Sequence, residues 1–103
     1  MSERLQKLHS LRERDPKDTF LIYAIALEHK KAGEHAVALE WFQKTLANDP
    51  TYCVAYHMAG QTYEDANDME GAKKAYRDGI AVATKKGDTH AAGEMRAALD
   101  MIE

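Results

Sequence analysis

The sequence predicts an all-α fold, and three observations support this prediction. Residues that favour helices, such as Ala, Leu, Glu, Lys, Gln and Met, are abundant, whereas β-branched residues are few. The two prolines, Pro16 and Pro50, each follow an aspartate and interrupt an otherwise helical chain. The stretch YHMAGQTY, residues 56–63, places small and aromatic side chains on one face of a helix.

The chain reads as six helices separated by short breaks. The longest apolar run, FLIYAIAL at residues 20–27, resembles a buried strand by itself, but the following EHKKA extends it to helix length. Gly33, Asn67 and Gly87 mark three breaks, since both residue types adopt the left-handed conformation that ends a helix. Short carboxylates that can cap a helix N-terminus precede three helices: Asp18, Asp68 and Asp88. We therefore predict helices near residues 2–14, 19–32, 35–48, 53–66, 69–86 and 89–102.

Composition argues against several classes of protein. The 103 residues suit one domain, and a net charge of -3 provides no basic excess for nucleic acid or an anionic membrane. Cys53 is the single cysteine, so the chain forms no internal disulfide. The charged N-terminus lacks a signal-peptide core, and the eight apolar residues 20–27 are far short of the roughly 20 that span a bilayer. We expect a complete cytoplasmic protein that binds neither nucleic acid nor membrane.

The chain resembles itself when it is shifted so that Asp15-Pro16 falls on Asp49-Pro50. We call this displacement the repeat shift. Under the repeat shift, residues of similar size recur at several positions of the kind that helices usually bury. Identity between residues 17–50 and 51–84 is low, with three matching alanines, so the signal lies in the pattern of residue sizes. The equivalent pairs are Ala26 and Gly60, Ala32 and Ala66, Ala38 and Ala72, Phe42 and Tyr76, and Ala47 and Ala81.

This pattern resembles the tetratricopeptide repeat, a helix–turn–helix unit of about 34 residues, which is also the length of the repeat shift. The spacing of Tyr56, Ala59, Gly60 and Tyr63 follows the first helix of that family, and EWFQKTLANDP at residues 40–50 is similar to the end of one of its repeats. The chain departs from the family pattern in three places: His29 replaces a Tyr, Ala59 replaces a Leu, and Thr84 replaces the closing Pro. The missing proline predicts that the helix of the second unit continues through Lys85 and Lys86.

The resemblance implies antiparallel helical hairpins stacked as a short right-handed superhelix in one domain. We divide the chain into an N-terminal helix (1–16), two repeats (17–50 and 51–86) and a C-terminal capping helix (87–103). A glycine inside a helix costs about 1 kcal/mol relative to alanine. We expect Gly60 to be retained because it and Ala72 let two helices approach closely, with aromatic rings around the contact. Ala92, Met95, Leu99 and Ile102 are predicted to cover the second repeat.

The resemblance also implies that the first helices of the repeats line a concave groove that binds a peptide or partner helix. An equally strong alternative is that the N-terminal helix or another copy of the chain covers this groove. The expected partner-binding residues are Phe20, Tyr23, Leu27, Lys30, Val54, His57, Gln61, Glu64 and Met95. Lys30 and Lys31 align with Glu64 and Asp65, and we expect ion pairs between the repeats there.

The sequence gives little support to a chemical function. Some family members hold a carboxylate with basic and amide side chains, but Tyr23 and Leu27 occupy those positions here, which disfavours such a clamp. Cys53 and His57 lie one helical turn apart, yet a tetrahedral metal site needs two further ligands, and a nucleophile needs an oxyanion pocket. Trp41 is expected on the convex side in a structural role, with contact to another subunit as the alternative. We therefore predict no enzyme activity and no metal or other cofactor.

The predicted function is that of a protein–protein interaction module, an adaptor or scaffold whose partner the sequence does not identify. The alternative is a self-associating structural protein, a homodimer in which each copy fills the groove of the other. Two repeats are fewer than the three or more that usually form a stable stack. Either the flanking helices or a second copy must complete the core.

Overall fold

The computed structural model describes residues 2–103 as six α-helices joined by short turns. They are α1 (Glu3–Arg14), α2 (Thr19–Lys31), α3 (His35–Asn48), α4 (Cys53–Asp65), α5 (Met69–Lys86) and α6 (Thr89–Asp100). No strand occurs within these described residues, which confirms the all-α prediction. The predicted extension of α5 through Lys86 is also confirmed.

The helices pack in chain order as antiparallel hairpins. The repeat shift carries both ends of α2 onto the ends of α4, and it carries the start of α3 onto the start of α5. Each helix contacts the next, and α4 also contacts both α2 and α6. Helices α2, α4 and α6 therefore form one layer, while α1, α3 and α5 form the other. No Cα atom of α3 lies within 8 Å of one in α5.

Side chains of the local sequence determine where the helices begin and end. The carboxylates of Asp18, Asp68 and Asp88 each accept a hydrogen bond from a backbone N–H in the first turn of α2, α5 and α6. These bonds satisfy donors that have no partner inside the helix. Gly33 and Asn67, which are equivalent under the repeat shift, both adopt positive φ after the first helix of their repeat. The N-caps and breaks predicted at these positions are confirmed.

The core consists of two main clusters that share helix α4. One cluster joins α2, α3 and α4 around Ala26, Phe42 and Ala59. The other joins α4, α5 and α6 around Tyr76, Met95 and Leu99. Helix α6 thus extends the buried surface beyond the second repeat, and the predicted contacts of Met95 and Leu99, with Ala92 and Ile102 beside them, are confirmed.

The ring of Tyr76 lies directly on the backbone of Gly60. Tyr76 has no exposed surface, and a Cβ atom added to Gly60 would lie 2.6 Å from its Cζ atom. The sequence predicted a close approach between Gly60 and Ala72, whereas the residue that uses this space is the tyrosine one turn further along α5. A second socket, absent from the prediction, occurs at Gly79, where an added Cβ would lie 2.6 Å from the Cβ of Tyr56.

Replacing Gly60 with alanine is expected to destabilise the fold. The methyl group would displace a buried ring, and overpacking of this kind costs about 1–3 kcal/mol, which exceeds the gain of about 1 kcal/mol in helix propensity. The matched control is Gly93→Ala in α6, where an added Cβ meets nothing within 4 Å. Urea denaturation followed by circular dichroism should show a lower midpoint for Gly60→Ala and an equal or higher one for Gly93→Ala. Equal stability of Gly60→Ala and the wild type would contradict this account of the contact.

Helix α1 docks on the first repeat through a small apolar cluster and one aromatic side chain. Leu5 and Leu8 are buried against Ala24 and Ile25 of α2. The half-buried Trp41 of α3 packs against the same cluster, and its ring is surrounded by polar side chains. The guanidinium of Arg12 lies 5.1 Å from the ring centroid, the ammonium of Lys44 lies 4.1 Å from it, and the His9 ring packs edge-on at 5.4 Å.

Trp41 therefore joins α1 to α3, which agrees with the structural role expected for it. Two cations lie close to this ring, and each such contact contributes on the order of 0.5–1 kcal/mol at exposed sites. They also create a positive environment for His9. Burial lowers the pKa of His9, and the charges of Arg12, His29 and Lys44 lower it further, while Glu13 alone opposes them.

Acidification should weaken the docking of α1. The pKa of His9 is lowered from its ordinary value of 6.5 in the folded chain, so the unfolded chain takes up this proton at a higher pH. The stability contributed by His9 is complete above pH 6.5 and is lost as the pH falls through its lowered folded-state pKa. Thermal melts of the wild type and His9→Gln on either side of this pH range should show the smaller decrease for His9→Gln. An identical decrease in both proteins would refute a role for this histidine.

Candidate partner-binding groove

The layer of α2, α4 and α6 exposes an apolar pair of side chains at one end. Phe20 of α2 is 58% exposed, and Val54 of α4, its equivalent under the repeat shift, is 41% exposed. Both belong to the small set of large apolar residues that the core leaves exposed. Further along the same faces, Leu27 and Gln61 form a second equivalent pair, and both are half-buried. The predicted groove residues of α2 and α4 therefore lie at equivalent positions of adjacent helices.

Helix α1 leaves Phe20 uncovered. The residues of α2 that pack against α1 are Leu21, Ala24 and Ile25, and Phe20 beside them remains 58% exposed. Arg4 of α1 extends this contact with an ion pair to Glu28, at 3.1 Å. Of the two coverings that the sequence left open for Phe20, the N-terminal helix is thus ruled out.

Tyr23 is a core residue, and its prediction as a partner contact is wrong. Its side chain is 8% exposed, and its ring packs 6.0 Å from the ring of Phe42 and 5.4 Å from that of Tyr52. Burial raises the pKa of its hydroxyl. The repeat shift makes Tyr23 equivalent to His57, but it could not show that the aromatic side chain of Tyr23 turns toward α3 and α4.

Met95 is also a core residue, and its place in the predicted groove is wrong. It is fully buried, with its sulfur over the Cα of Gly79. The N-caps of α2, α4 and α6 are Asp18, Tyr52 and Asp88. Tyr52 lies one repeat shift after Asp18. Asp88, however, lies two positions beyond the residue that a second repeat shift, counted from Tyr52, would reach. Two additional residues turn a helix by about 200°.

The long helix α5 causes this change of register, since it continues to Lys86 before the chain can turn. When the repeat shift is lengthened by these two positions, the residues of α6 equivalent to Val54, His57 and Gln61 are His90, Gly93 and Ala97. All three α6 residues are exposed. The sequence already indicated this change of register, because the N-cap predicted at Asp88 does not fall where the repeat shift would place it.

The other end of the groove is polar, and one of the ion pairs predicted between the repeats forms there. The ammonium of Lys30 in α2 lies 3.7 Å from the carboxylate of Asp65 in α4. Glu64 instead accepts a hydrogen bond from the hydroxyl of Tyr76. Burial and this hydrogen bond raise the pKa of Tyr76. Lys30 and Glu64 are therefore partly committed to contacts within the chain, whereas Phe20 and Val54 are not.

His57 and Cys53 occupy different surroundings. The His57 ring is half-buried and packs edge-on against Tyr76, with ring centroids 6.0 Å apart. Cys53 is buried, and its thiol donates to the carbonyl oxygen of Thr51 at 3.4 Å. Among residues 2–103, no group of three or more His, Cys, Asp or Glu side chains is arranged to hold a metal ion. Within the same range, no helix is both long and apolar enough to cross a membrane.

Comparison with known proteins identifies the family. The sequence model of the tetratricopeptide repeat matches residues 54–86. A tetratricopeptide repeat domain protein from Salinibacter ruber, solved by NMR, has 34% identical residues and a TM-score of 0.80. The similarity covers 86% of this chain and 90% of that one. The chain belongs to the tetratricopeptide repeat family.

Two further comparisons extend over most of this tetratricopeptide repeat chain. The TPR repeat-containing protein PA0015 of Pseudomonas aeruginosa is 25% identical over 96% of this chain and 94% of its own length. PcrH in complex with the chaperone binding region of PopD has a TM-score of 0.87 at 16% identity, covering 95% of this chain and 74% of PcrH. At that identity the likeness shows the fold alone. Tetratricopeptide repeat domains mediate protein–protein interactions, and this chain is an interaction protein in that general sense.

Two methionines of the C-terminal region test the corrected register. Met95→Ala should cost about 2–5 kcal/mol, because it removes a fully buried side chain and leaves a cavity against Gly79. Met101, which is 86% exposed, is the matched control, and Met101→Ala should change the free energy of unfolding by less than about 0.5 kcal/mol. Chemical denaturation of both variants measures the difference. Similar stabilities for the two would mean that Met95 is on the surface, as an unchanged repeat shift had indicated.

Proposed function

We propose that this chain is an adaptor that binds a peptide or helix of a partner protein in the groove of α2, α4 and α6. The observation that supports the proposal is the exposure of Phe20 and Val54, which are 58% and 41% exposed on adjacent helices at equivalent positions. Large apolar side chains placed together at the surface commonly serve as anchors for a partner. The proposed contact residues are Phe20, Leu27, Lys30, Val54, His57, Gln61 and Glu64.

The two ends of the groove favour different parts of a ligand. Phe20 and Val54 suit an apolar side chain of the partner, since their contact would remove apolar surface from water. At the opposite end, Lys30 and Asp65 already form an ion pair, and Gln61 offers an uncharged polar group. An amphipathic helix or an extended peptide with one apolar anchor fits this arrangement. Gly93 and Ala97 on α6 are small and exposed, which allows the backbone of such a ligand to approach closely.

Catalysis is not part of the proposal. The thiol of Cys53 is buried and donates to a backbone carbonyl, so it is neither accessible nor activated as a nucleophile. The ring of His57 packs on Tyr76 rather than on this thiol. A structure of the same fold, PcrH, holds the chaperone binding region of PopD, which is consistent with a fold that accommodates protein ligands.

Substitution of the groove anchors should abolish partner binding without unfolding the chain. The variant Phe20→Ala/His57→Ala removes one exposed and one half-buried side chain and retains Tyr23, whose loss would disrupt the core. Val37→Ala on α3, where Val37 is 37% exposed, is the control on another face. Affinity capture from a lysate of the source organism should recover the same partner with wild type and Val37→Ala, and lose it with the groove variant.

Two outcomes would contradict the adaptor proposal. The first is recovery of the same partners by a folded groove variant, which would place the contact elsewhere. The second is a dimeric wild type that becomes monomeric when Phe20 and His57 are replaced, measured by sedimentation. That result would support the alternative in which another copy of the chain occupies the groove.

A further inference from the structure

A cleft of about 180 Å³ lies between α3 and α5, on the other layer from the groove. It exists because α3 and α5 stay apart, so that α4 forms its floor. Its walls are mainly apolar and include Leu39, Phe42 and Leu46 of α3, with Ala59 of α4 below and Ala75 of α5 opposite. None of the groove residues discussed above lines this cleft.

The corresponding space one repeat earlier is filled by the chain itself. There, α1 and α3 flank α2, and Trp41 occupies the position between them. The repeat shift carries Trp41 of α3 onto Ala75 of α5, so the two residues lie at the same position in their helices. The chain therefore places an indole ring in the first of two equivalent sites and a methyl group in the second.

The equivalence extends to the neighbours of Trp41. The repeat shift carries most of the side chains near the tryptophan onto residues that line the cleft, whereas Leu21 and Ala24 fall on Ala55 and Met58, which do not line it. The apolar positions remain apolar, but a smaller alanine replaces an isoleucine on the floor. The pairs are Leu5 and Leu39, Leu8 and Phe42, His9 and Gln43, Arg12 and Leu46, Ile25 and Ala59, and Lys44 and Asp78.

We propose that this cleft binds the indole side chain of a tryptophan from a partner protein. The molecule shows that this arrangement of helices accommodates an indole, because Trp41 occupies the equivalent site. The two charges around Trp41 are replaced by Leu46 and Asp78, so one ring face meets an apolar wall. Asp78 is 49% exposed and pairs with Lys74 at 2.7 Å through one oxygen, which leaves the other to accept the indole N–H.

A second copy of the chain is a poor source of this indole. The chain contains a single tryptophan, Trp41, and its ring already packs between α1 and α3 against His9, Arg12 and Lys44. Releasing it would break the docking of α1. The tryptophan must therefore come from a different protein. This proposal is independent of the groove, because it concerns another layer of the fold and other residues.

The test is a titration of the full-length chain with N-acetyltryptophanamide, followed by the backbone amide resonances in NMR spectra. We expect saturable shifts at Leu46, Ala59 and Ala75, and their loss in Ala75→Trp, in which the chain fills its own cleft. The control is Arg96→Trp, which adds an indole at an exposed position of α6 outside both the cleft and the groove and should bind as the wild type does. If Ala75→Trp does not fold, Ala75→Leu provides a smaller filling residue for the same comparison.

Four results of the titration, and one of sedimentation, would overturn the proposal. The titration results are shifts away from the cleft, shifts that persist in a folded Ala75→Trp variant, equal binding of N-acetylleucinamide, and binding of free indole without binding of the blocked amino acid. Equal binding of the leucine compound would show an unspecific apolar surface, and indole alone would indicate a small-molecule site. Sedimentation of the wild type provides an independent check, because a dimer that Ala75→Trp abolishes would make a second copy the occupant.

Discussion

The contact between the Tyr76 ring and the backbone of Gly60 sets the separation of α4 and α5, and much of the structure depends on it. Tyr76 is fully buried, and its hydroxyl donates to Glu64 at the polar end of the groove. The edge of its ring also supports His57. One aromatic residue thus joins the helix contact, the second core cluster and two residues proposed to face the partner. A substitution at this contact would therefore affect the groove residues His57 and Glu64 directly, in addition to changing the stability of the fold.

The two repeats have the same arrangement of helices, but different side chains pack between those helices. In the first, Tyr23 packs on Phe42 and Tyr52, and Trp41 closes the space beneath α1. In the second, Tyr76 enters the glycine socket, and Ala75 leaves a cleft. Such differences give each repeat its own surface. They arise because a stack of repeats is stabilised by contacts between neighbours, so each interface can use a different set of side chains.

The terminal helices complete what two repeats leave exposed. Helix α1 covers Ala24 and Ile25, and α6 contributes Met95 and Leu99 to the second cluster. Their outward faces are mainly polar or small, with two exposed apolar side chains, Leu11 of α1 and Met101 at the end of the chain. The buried clusters therefore extend from α1 to α6 within one chain, while Phe20 and Val54 remain exposed.

The sequence by itself determined the helices, their caps and the repeat, because these depend on local spacing and on short-range hydrogen bonds. It also identified Phe20 and Val54 as equivalent positions and predicted ion pairs of Lys30 and Lys31 with Glu64 and Asp65, of which the structure forms Lys30–Asp65. Only the tertiary structure decided which side of a helix is covered. Tyr23 and Met95 proved to be buried, since the first turns toward α3 and the second follows a change of register after α5. The cleft at Ala75 likewise depends on a space between helices distant in sequence, and a single residue of a repeat pattern does not reveal whether its neighbours fill that space.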